Sequence, residues 1–547
     1  MSSINVPVLI VGGGPVGLVL SMELASRGIA NLLVNDAETP SRHPKGNSLN
    51  CRTMEHLRRL GFADEIRQTG LYPEHPTDVV YVTRFTGHEL ARLNMPAGKS
   101  KIEKPGPWGD TLLTPEPMHR SNQFYFEPLL KTHADSYTKS DIRFGWQLTR
   151  FEDFEDWVEA EIEELSTGKA LSVRCEYLVG CDGSRSMVRR QLGYHFSGRK
   201  SSGGDFYDGD MISAYFFAPG VYDALAMPIG WKYYTINNDI RTDCITLDGK
   251  GEFMMLAEMP AGMAIESIDA VKIFREAVGA DIEIELKSCV SWLAGLAMAA
   301  DGYQRGRVLL AGDSVHLFTP AGGFGFNTGI DDVVNLAWKI AATLQGWGGP
   351  RLVETYETER RPIGIRNTNE SGRLTAQVGG LNFPANIEDE DDAGVEARLA
   401  FKDKLYIYKE EFASIGIQLG ARYDGSPIVV GDGTTPPPDE AAVYRPTACP
   451  GGRAPHYWAK ERASLFDQFG FWFTVLRLGP TAPAIDGLVV AAENVGIPLK
   501  VLDVIEDAAR DLYERDLAII RPDQHVAWRG NQPPDDPEAL WATITGH

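Results

Sequence analysis

Glycines spaced for a phosphate-binding turn lie near the start of the chain. Gly12, Gly14 and Gly17 follow an apolar run, and Pro15 and Val16 separate the last two of them. Glycine at these three positions allows a tight turn, a close approach of a pyrophosphate to the backbone, and close packing of a helix on a strand. The first turn of such a helix also favours negative charge. The pattern therefore predicts that this segment binds a dinucleotide.

Two aspartates follow other short apolar runs. Asp182 comes after residues 177–180, and Asp313 comes after residues 308–311. In a doubly wound parallel sheet, ligands bind at the edge formed by the carboxyl ends of the strands. A single Asp-Gly pair is most often only a turn. The three segments together predict one ligand site at this edge.

A glycine-rich stretch and a helix follow Asp313. The pattern predicts that the helix starts at Asn327 and carries an apolar stripe. The backbone N–H groups of Gly325, Phe326 and Asn327 would then point at whatever lies before the helix. Such a helix end is suited to negative charge on a ligand.

The apolar pattern also predicts the elements that must position these residues. Residues 6–11 are typical of a strand buried on both faces, a helix follows until Gly28, and residues 31–34 form the next strand. This order predicts an α/β fold with a Rossmann-like domain. The acidic residue expected after the second strand is replaced by Asn35-Asp36, so either side chain is predicted to contact a ribose hydroxyl.

These motifs together resemble those of the class A flavoprotein monooxygenases, the FAD-dependent aromatic hydroxylases, in the branch of phenol and polyketide hydroxylases. The resemblance covers nearly the whole chain. It rests on GGGPVG at 12–17, on the Asp-Gly motif with Ser186 and Arg189, and on GDSVH at 312–316 followed by PAGGFGFN at 320–327. It implies that the first motif holds the ADP part of FAD, that Asp182 contacts FAD and NAD(P)H, and that Asp313 binds the ribityl chain.

Other positions match residues of that family near the flavin. The resemblance implies that Arg52 and Gln123 contact the cofactor, with a surface salt bridge and an exposed helical glutamine as their alternatives. It also places Gly323 beside FAD and implies that the carbonyl of Pro320 lines the site of oxygen transfer. Asn47 stands where relatives often carry an acid or histidine. Arg42 and Lys45 add local positive charge that suits a pyrophosphate or an incoming NADPH.

The stretch between about residues 199 and 300 contains short aromatic runs broken by Gly, Asp and Asn. This pattern predicts a mostly antiparallel sheet that forms the wall of an aromatic pocket, assisted by residues 81–83 and the stretch near Trp108. Candidates for a catalytic base are Tyr233, His119 and Asp243, and none is preferred. His316 is interpreted as a packed, hydrogen-bonded residue.

The resemblance implies a specific reaction. NADH or NADPH reduces FAD, O2 adds to form the flavin C4a-hydroperoxide, and one oxygen atom passes to an electron-rich carbon of a phenolic or related aromatic substrate. An epoxidase or a ring-cleaving oxygenase of the same fold is an alternative, and a non-catalytic flavin-binding protein is another. A halogenase is disfavoured because residues 230–236 lack the Trp-x-Trp-x-Ile sequence.

The last third of the chain predicts a separate unit. Strands are expected at 471–476, 500–504, 517–520 and 526–528, with a helix near Ala491, and these resemble the thioredoxin-like C-terminal domain of this branch. Because CxxC is absent, we expect a packing role or a homodimer contact rather than a redox role. The predicted divisions are an FAD-binding domain in three parts (1–75, 111–200, 301–385), an interleaved antiparallel substrate domain (76–110, 201–300), a linker (386–440) and the C-terminal domain (441–547).

Composition excludes several classes of protein. The 547 residues are 43% hydrophobic and 23% charged, as in folded proteins, and the net charge of −22 argues against a general nucleic-acid or anionic-membrane surface. Six scattered cysteines give neither a disulfide framework nor a metal site. The glycines and proline of the early apolar stretch argue against a signal peptide or membrane span. We therefore expect a cytoplasmic enzyme whose partners are a small aromatic compound, O2 and NAD(P)H.

Overall fold

The computed structural model describes residues 3–103, 113–201, 206–260, 262–459 and 463–547. The predicted pocket contribution near Trp108 lies outside these ranges. No helix formed by the described residues is long and apolar enough to cross a membrane.

The strands of the described residues are given in chain order. They are β1 (Ser3–Val11), β2 (Asn31–Asn35), β3 (Val79–Val82), β4 (Glu89–Leu93), β5 (Ser140–Phe144), β6 (Trp146–Asp153), β7 (Val158–Glu164), β8 (Lys169–Gly180), β9 (Phe196–Arg199), β10 (Asp210–Phe217), β11 (Lys232–Ile236), β12 (Arg241–Thr246), β13 (Glu252–Glu258), β14 (Glu285–Leu293), β15 (Ala297–Ala300), β16 (Gln304–Arg305), β17 (Val308–Leu310), β18 (His316–Leu317), β19 (Phe473–Leu478), β20 (Leu499–Val504), β21 (Leu517–Ile520) and β22 (Val526–Gly530).

The α-helices are given in the same way. They are α1 (Pro15–Ser26), α2 (Cys51–Arg59), α3 (Ala63–Ile66), α4 (Gly98–Glu103), α5 (Gln123–Ser136), α6 (Met187–Leu192), α7 (Val221–Ala224), α8 (Ala270–Val278), α9 (Gly325–Leu344), α10 (Thr355–Gly379), α11 (Asp392–Leu405), α12 (Ile415–Leu419), α13 (Leu465–Gln468), α14 (Asp486–Asn494), α15 (Asp507–Tyr513) and α16 (Pro537–Ile544). Short 3-10 helices lie at Ile265–Ser267, Gly312–Ser314, Ala321–Gly323 and Tyr406–Glu411.

The first sheet has a parallel centre in the order β17-β8-β1-β2-β5. Its register pairs Val11 with Gly180, and Gly180 with Leu310. These residues are the last ones of β1, β8 and β17. The loops that follow the three strands therefore start side by side at one edge of the sheet, as the sequence predicts. This α/β architecture positions the site.

The second sheet has the order β14-β10-β13-β12-β11-β3-β4, and all its pairings are antiparallel except that of β3 with β11. Its two faces bury different clusters. Tyr234 and Met254 belong to one cluster, and Tyr233 and Met255 pack with Phe274 of α8 in the other. The first of these faces contributes Met254 to the cavity described below.

The C-terminal part forms a four-stranded sheet in the order β20-β19-β21-β22. Phe473 of β19 packs edge-on against Trp338 of α9 and Trp541 of α16. The segment 386–440, predicted as a linker, instead contains α11, α12 and a 3-10 helix. It is part of the packed structure because its residues Phe401 and Leu405 are buried against the second sheet.

A buried ion cluster joins the first sheet's helices to the C-terminal sheet. We define the interdomain cluster as Glu359, Lys339, Arg521 and Asp523, whose side chains are at most 2% exposed. Glu359 accepts from Lys339 at 2.6 Å and from Arg521 at 2.6 and 2.8 Å. Since unpaired buried charges are costly, these contacts tie the two parts together.

Glu55 of α2 forms a second buried ion pair with the C-terminal part. This ion pair should make the stability of the folded protein depend on pH. Arg453 donates to it from Nε at 3.0 Å. Burial alone would raise the pKa of this carboxyl group, but Arg453 and Arg52 outweigh burial and hold the pKa at about 2. The folded state therefore binds fewer protons than the unfolded state at acidic pH, so the stabilisation is complete above pH 4.5 and is lost as pH falls from there towards 2.

We expect the Glu55→Gln variant to lose less stability than the parent protein between pH 5 and pH 3, because it lacks this titrating group. Urea unfolding at both pH values measures the difference. An equally steep loss in the variant would contradict the assignment.

Candidate active site

The glycine turn has the steric properties that its sequence predicts. Gly12 has φ of +113°, and a Cβ on Gly17 would lie 1.9 Å from the carbonyl oxygen of Gly12. Helix α1 starts at Pro15 with Gly14 as its N-cap and no side-chain cap. No described residue accepts a hydrogen bond from the N–H groups of Gly14, Val16 and Gly17. This helix end is thus available to a phosphate.

Gly14 allows folding and cofactor binding to be tested separately. A Cβ at this position would meet no atom within 4 Å, and φ of −75° is accessible to any residue. We expect Gly14→Ala to leave the stability of the cofactor-free protein unchanged while weakening FAD binding by about ten- to hundredfold, because the methyl group occupies the approach of the pyrophosphate. Fluorescence titration with FAD measures the affinity. Unchanged affinity would show that no pyrophosphate lies against Gly14.

The side chain of Asn35 is hydrogen-bonded to the glycine turn and is therefore not available to bind a ribose hydroxyl. Its Oδ1 accepts from the N–H of Gly13 at 2.8 Å, and its Nδ2 donates to the carbonyl of Ala37 at 3.2 Å. Asp36 is exposed and accepts from the N–H of Ala37 at 2.8 Å. Of the two, Asp36 keeps the free carboxylate oxygen that a ribose contact needs.

Asp182 and Asp313 lie in the loops after β8 and β17. Asp182 Oδ2 accepts from the N–H groups of Met187 and Val188 at 2.7 and 3.1 Å, so it caps α6. Its Oδ1 is buried without a partner among the described residues. Asp313 lines the cavity and has no hydrogen-bond partner within the described ranges. Desolvation raises the pKa of both carboxyl groups.

Helix α9 presents a second open N-terminus. It begins at Gly325, earlier than the predicted start at Asn327, and its N-cap Phe324 provides no side-chain cap. The N–H groups of Gly325, Phe326 and Asn327 have no acceptor in the part of the chain that the structure describes. The Asn327 side chain is occupied, since it donates to the carbonyls of Ser48 and Gly323 at 2.9 and 2.8 Å.

A cavity of about 610 Å³ lies beside this helix end. Its volume is in the range of small-molecule sites. The loop of residues 43–48 and the stretch 318–326, including Pro320 and Gly323, form part of its lining. The second sheet supplies Lys232 of β11 and Asp243 of β12. The cavity therefore lies between the cofactor motifs and the aromatic sheet, where the sequence predicts the pocket.

One wall of the cavity carries a buried polar cluster. Lys232 Nζ lies 3.1 Å from Asp243 Oδ2 and 3.7 Å from Glu411 Oε1. Tyr207 donates to Asp243 Oδ2, and Tyr234 donates to Glu411 at 3.1 Å. Asp243 Oδ1 has no partner among the described residues. Burial, more than any other cause, raises the pKa of Glu411.

Sequence reasoning named Asp243 but missed Lys232 and Glu411. Strand alternation could have indicated Lys232, since it lies on the same face of β11 as Tyr234. No sequence signal indicated Glu411, which ends a 3-10 helix in the predicted linker.

Two candidate bases are corrected by the structure. Tyr233 lies on the opposite face of its strand from the cavity, packs against Phe85, and accepts from the N–H of Gly230 at 2.7 Å. Desolvation raises its pKa to about 12. His119 bonds to the carbonyl of Thr69 at 2.8 Å, and burial lowers its pKa to about 3. Neither residue lines the cavity.

Arg52 also departs from its predicted cofactor contact. It is 4% exposed, and it donates to Glu55 at 2.9 Å, to Gln524 at 2.7 Å and to the carbonyl of Asp523 at 2.6 Å. Because these bonds fix its guanidinium between α2 and the C-terminal part, Arg52 packs the two together. It does not line the cavity.

The remaining predicted residues lie at or near the cavity. Gln123, Lys45 and Asn47 line it, and Arg42 is exposed nearby in sequence. Asn47 Oδ1 accepts from Asn122 at 2.5 Å, so its amide orientation is fixed. Gln123 donates to Glu127 at 2.5 Å. His316 is fully buried against Asp332 at 2.7 Å, in agreement with the packed role expected for it.

The residues present fit an FAD molecule. Two helix ends offer N–H groups without acceptors in the described ranges, and Gly14 leaves open space for a pyrophosphate. Asp313 presents a carboxylate without a partner there to a hydroxyl-bearing chain. Val16 lies beside Gly312, so the glycine turn and the Asp313 loop are neighbours.

Comparison with known proteins gives the family. The family model described as "FAD binding domain" matches residues 5–371. A putative polyketide hydroxylase of Streptomyces halstedii is 31% identical over 97% of this chain and 94% of its own length. The chain belongs to the class A flavoprotein aromatic hydroxylases. It is therefore an FAD-dependent aromatic monooxygenase.

Solved structures of two other proteins share the fold. RebC soaked with chromopyrrolic acid, with bound 7-carboxy-K252c, superposes with a TM-score of 0.90 at 33% identity, with 100% of both chains covered. A ternary complex of aklavinone-11 hydroxylase with FAD and aklavinone gives a TM-score of 0.81 at 27% identity, again with 100% of both chains covered.

Proposed function

We propose that this hydroxylase adds one oxygen atom to a phenolic or related fused aromatic compound and uses NADH or NADPH as reductant. The observation that carries the proposal is the cluster of Lys232, Asp243 and Glu411 on the wall of the cavity that Asp313 and Gly323 also line. A phenol reacts faster after it loses its proton, and such a cluster is suited to receive one.

Asp243 is the proton acceptor in this proposal. The residue lines the cavity, and its Oδ1 is buried without a partner in the described part of the chain, so a small shift of the side chain would bring this oxygen to a substrate hydroxyl. Lys232 and Tyr207 hold its Oδ2 in place. Glu411, which accepts a hydrogen bond from Tyr234, extends this row of polar groups along the cavity wall.

When bound, FAD would supply the redox chemistry by which NAD(P)H reduces O2, with one oxygen atom passing to the aromatic substrate and the other leaving as water. Gly12, Gly14 and Gly17 would hold its ADP part, and Asp313 its ribityl chain. The N–H groups of Gly325, Phe326 and Asn327 would face its ring.

Other residues of this chain lie where the aromatic substrate and NAD(P)H would approach the flavin ring. Pro320 and the oriented amide of Asn47 line the cavity, and there they would exclude water and position the aromatic substrate. Arg42 and Lys45 are exposed and would attract the phosphates of NAD(P)H.

The ligands of two similar structures support a fused aromatic substrate. RebC holds 7-carboxy-K252c, and aklavinone-11 hydroxylase holds aklavinone. The cavity that the flavin ring and such a compound would share has a volume of about 610 Å³ and is lined by Trp231, Met254 and Trp292 of the second sheet and its flank.

The test uses the purified protein loaded with FAD. Phenols and hydroxylated fused aromatics are screened for acceleration of NADH or NADPH oxidation, and products are analysed by mass spectrometry after reaction under ¹⁸O2. We expect one labelled oxygen atom in a ring hydroxyl group. An epoxide or a ring-opened product would replace hydroxylation as the function, and NAD(P)H oxidation that no aromatic compound accelerates would refute the proposal.

A further inference from the structure

Arg120 is a buried cation on the cavity wall that the proposed reaction does not use. Its side chain lines the cavity, and the residue is 6% exposed. The guanidinium carbon lies 3.8 Å from the centre of the Trp231 ring, a stacking arrangement that fixes the plane of the group. One terminal nitrogen, Nη1, donates to Ser48 Oγ.

The other edge of this guanidinium is unused. Among the described residues, neither Nε nor Nη2 of Arg120 has a hydrogen-bond partner. Glu411 is the carboxylate whose charge acts on it, but Glu411 is bonded by Tyr234 and lies near Lys232. Lys101 is a second basic group in the neighbourhood, and burial, followed by the charge of Arg120, lowers its pKa to about 7. The charged groups around Arg120 can therefore accommodate one more negative charge.

A desolvated guanidinium with two unpaired nitrogens is costly in a folded protein. Burial lowers the pKa of Arg120 to about 9, so the group still carries its charge at neutral pH. Buried polar groups in native structures nearly always have hydrogen-bond partners, so the two unpaired nitrogens call for an explanation, and a ligand with acceptor oxygens supplies one.

We infer that the Nε–Nη2 edge of Arg120 binds a carboxylate substituent of the aromatic substrate. Nε–H and the adjacent Nη2–H point the same way, and two parallel donors match the two oxygens of a carboxylate better than the single oxygen of a phenolate. Both nitrogens are closed to water when no ligand is bound. Binding thus includes a shift of the guanidinium towards the cavity that it lines. The inference rests on the proposed function, since it names the substrate class of that same cavity.

The test compares binding of 3-hydroxy-2-naphthoic acid and its methyl ester to the full, FAD-loaded protein. Dissociation constants come from the perturbation of flavin absorbance, so no turnover is needed. We expect the acid to bind about ten- to hundredfold more tightly than the ester, as a charge-assisted pair implies. Arg120→Gln should remove this preference. Arg120→Lys should keep only part of it, since lysine keeps the charge but lacks the two parallel N–H donors.

Arg150→Gln is the matched control, because Arg150 is 79% exposed, pairs with Glu161 on the surface and does not line the cavity. It should bind both compounds as the parent protein does. Equal binding of acid and ester, binding of neither, or a preference that survives in Arg120→Gln would overturn the inference. Loss of FAD from Arg120→Gln would show that the Nε–Nη2 edge binds the cofactor, and this result would also overturn the inference.

The comparison on the parent protein and on Arg120→Lys decides the matter even where Arg120→Gln does not fold. If the acid is preferred but no oxygenated product forms from any aromatic compound, the carboxylate site stands and only the proposed reaction fails.

Discussion

The Asp243→Asn variant is expected to hydroxylate its substrate about 10²- to 10⁴-fold more slowly than the parent protein, the range lost when a general base is removed. Asparagine keeps the shape of the side chain, so Tyr207 and Lys232 retain an oxygen to bond. Its amide cannot receive a proton from the substrate hydroxyl. The effect should therefore fall on kcat, and FAD binding should be unchanged.

Steady-state kinetics distinguishes this role from a structural one, because loss of the proton acceptor lowers kcat while KM and the affinity for FAD stay as in the parent protein. Asp239→Asn is the control, because Asp239 lies in the turn between β11 and β12, is 65% exposed and pairs with Arg84. A normal kcat in Asp243→Asn would assign proton transfer to another group.

The Glu359→Gln variant is expected to lose about 3–5 kcal/mol of stability, the cost of leaving buried charges unpaired. Glu359 is 1% exposed and bonds Lys339, Arg521 and Asn335. Glutamine matches its size but removes the charge, so only Asp523 then remains in the cluster to balance two cations. Urea unfolding of the FAD-loaded protein measures the change.

Glu161→Gln supplies the comparison for this experiment. Glu161 pairs with Arg150, whose side chain is 79% exposed, and breaking such a surface pair costs about 1 kcal/mol or less. If both variants lost the same stability, the interdomain cluster would contribute no more than a surface contact.

The cofactor motifs could be predicted because their signals are local. A strand, a glycine turn and a helix are encoded within about twenty residues, and the same reasoning located Asp182 and Asp313. The register of β1, β8 and β17 then brings the three loops together. The C-terminal strands were also recognisable, because each is a short apolar run between turn residues.

The substrate side could not be predicted to the same degree. Tyr233 and Lys232 are neighbours in sequence, but successive side chains of a strand point to opposite faces. Which of the two faces the cavity can therefore be predicted only when the register of the strand is known. Arg120 and Glu411 reach the cavity from segments distant in sequence. Arg52 matches a cofactor residue by its position, but its partners come from the C-terminal part.

The interdomain cluster has a consequence for biosynthesis. Arg521 and Asp523 lie near the end of the 547-residue chain, whereas their partner Glu359 lies about 160 residues earlier. Domains fold from the N-terminus while the ribosome is still working. A nascent chain therefore holds Glu359 and Lys339 without Arg521 until synthesis has advanced 162 residues beyond Glu359.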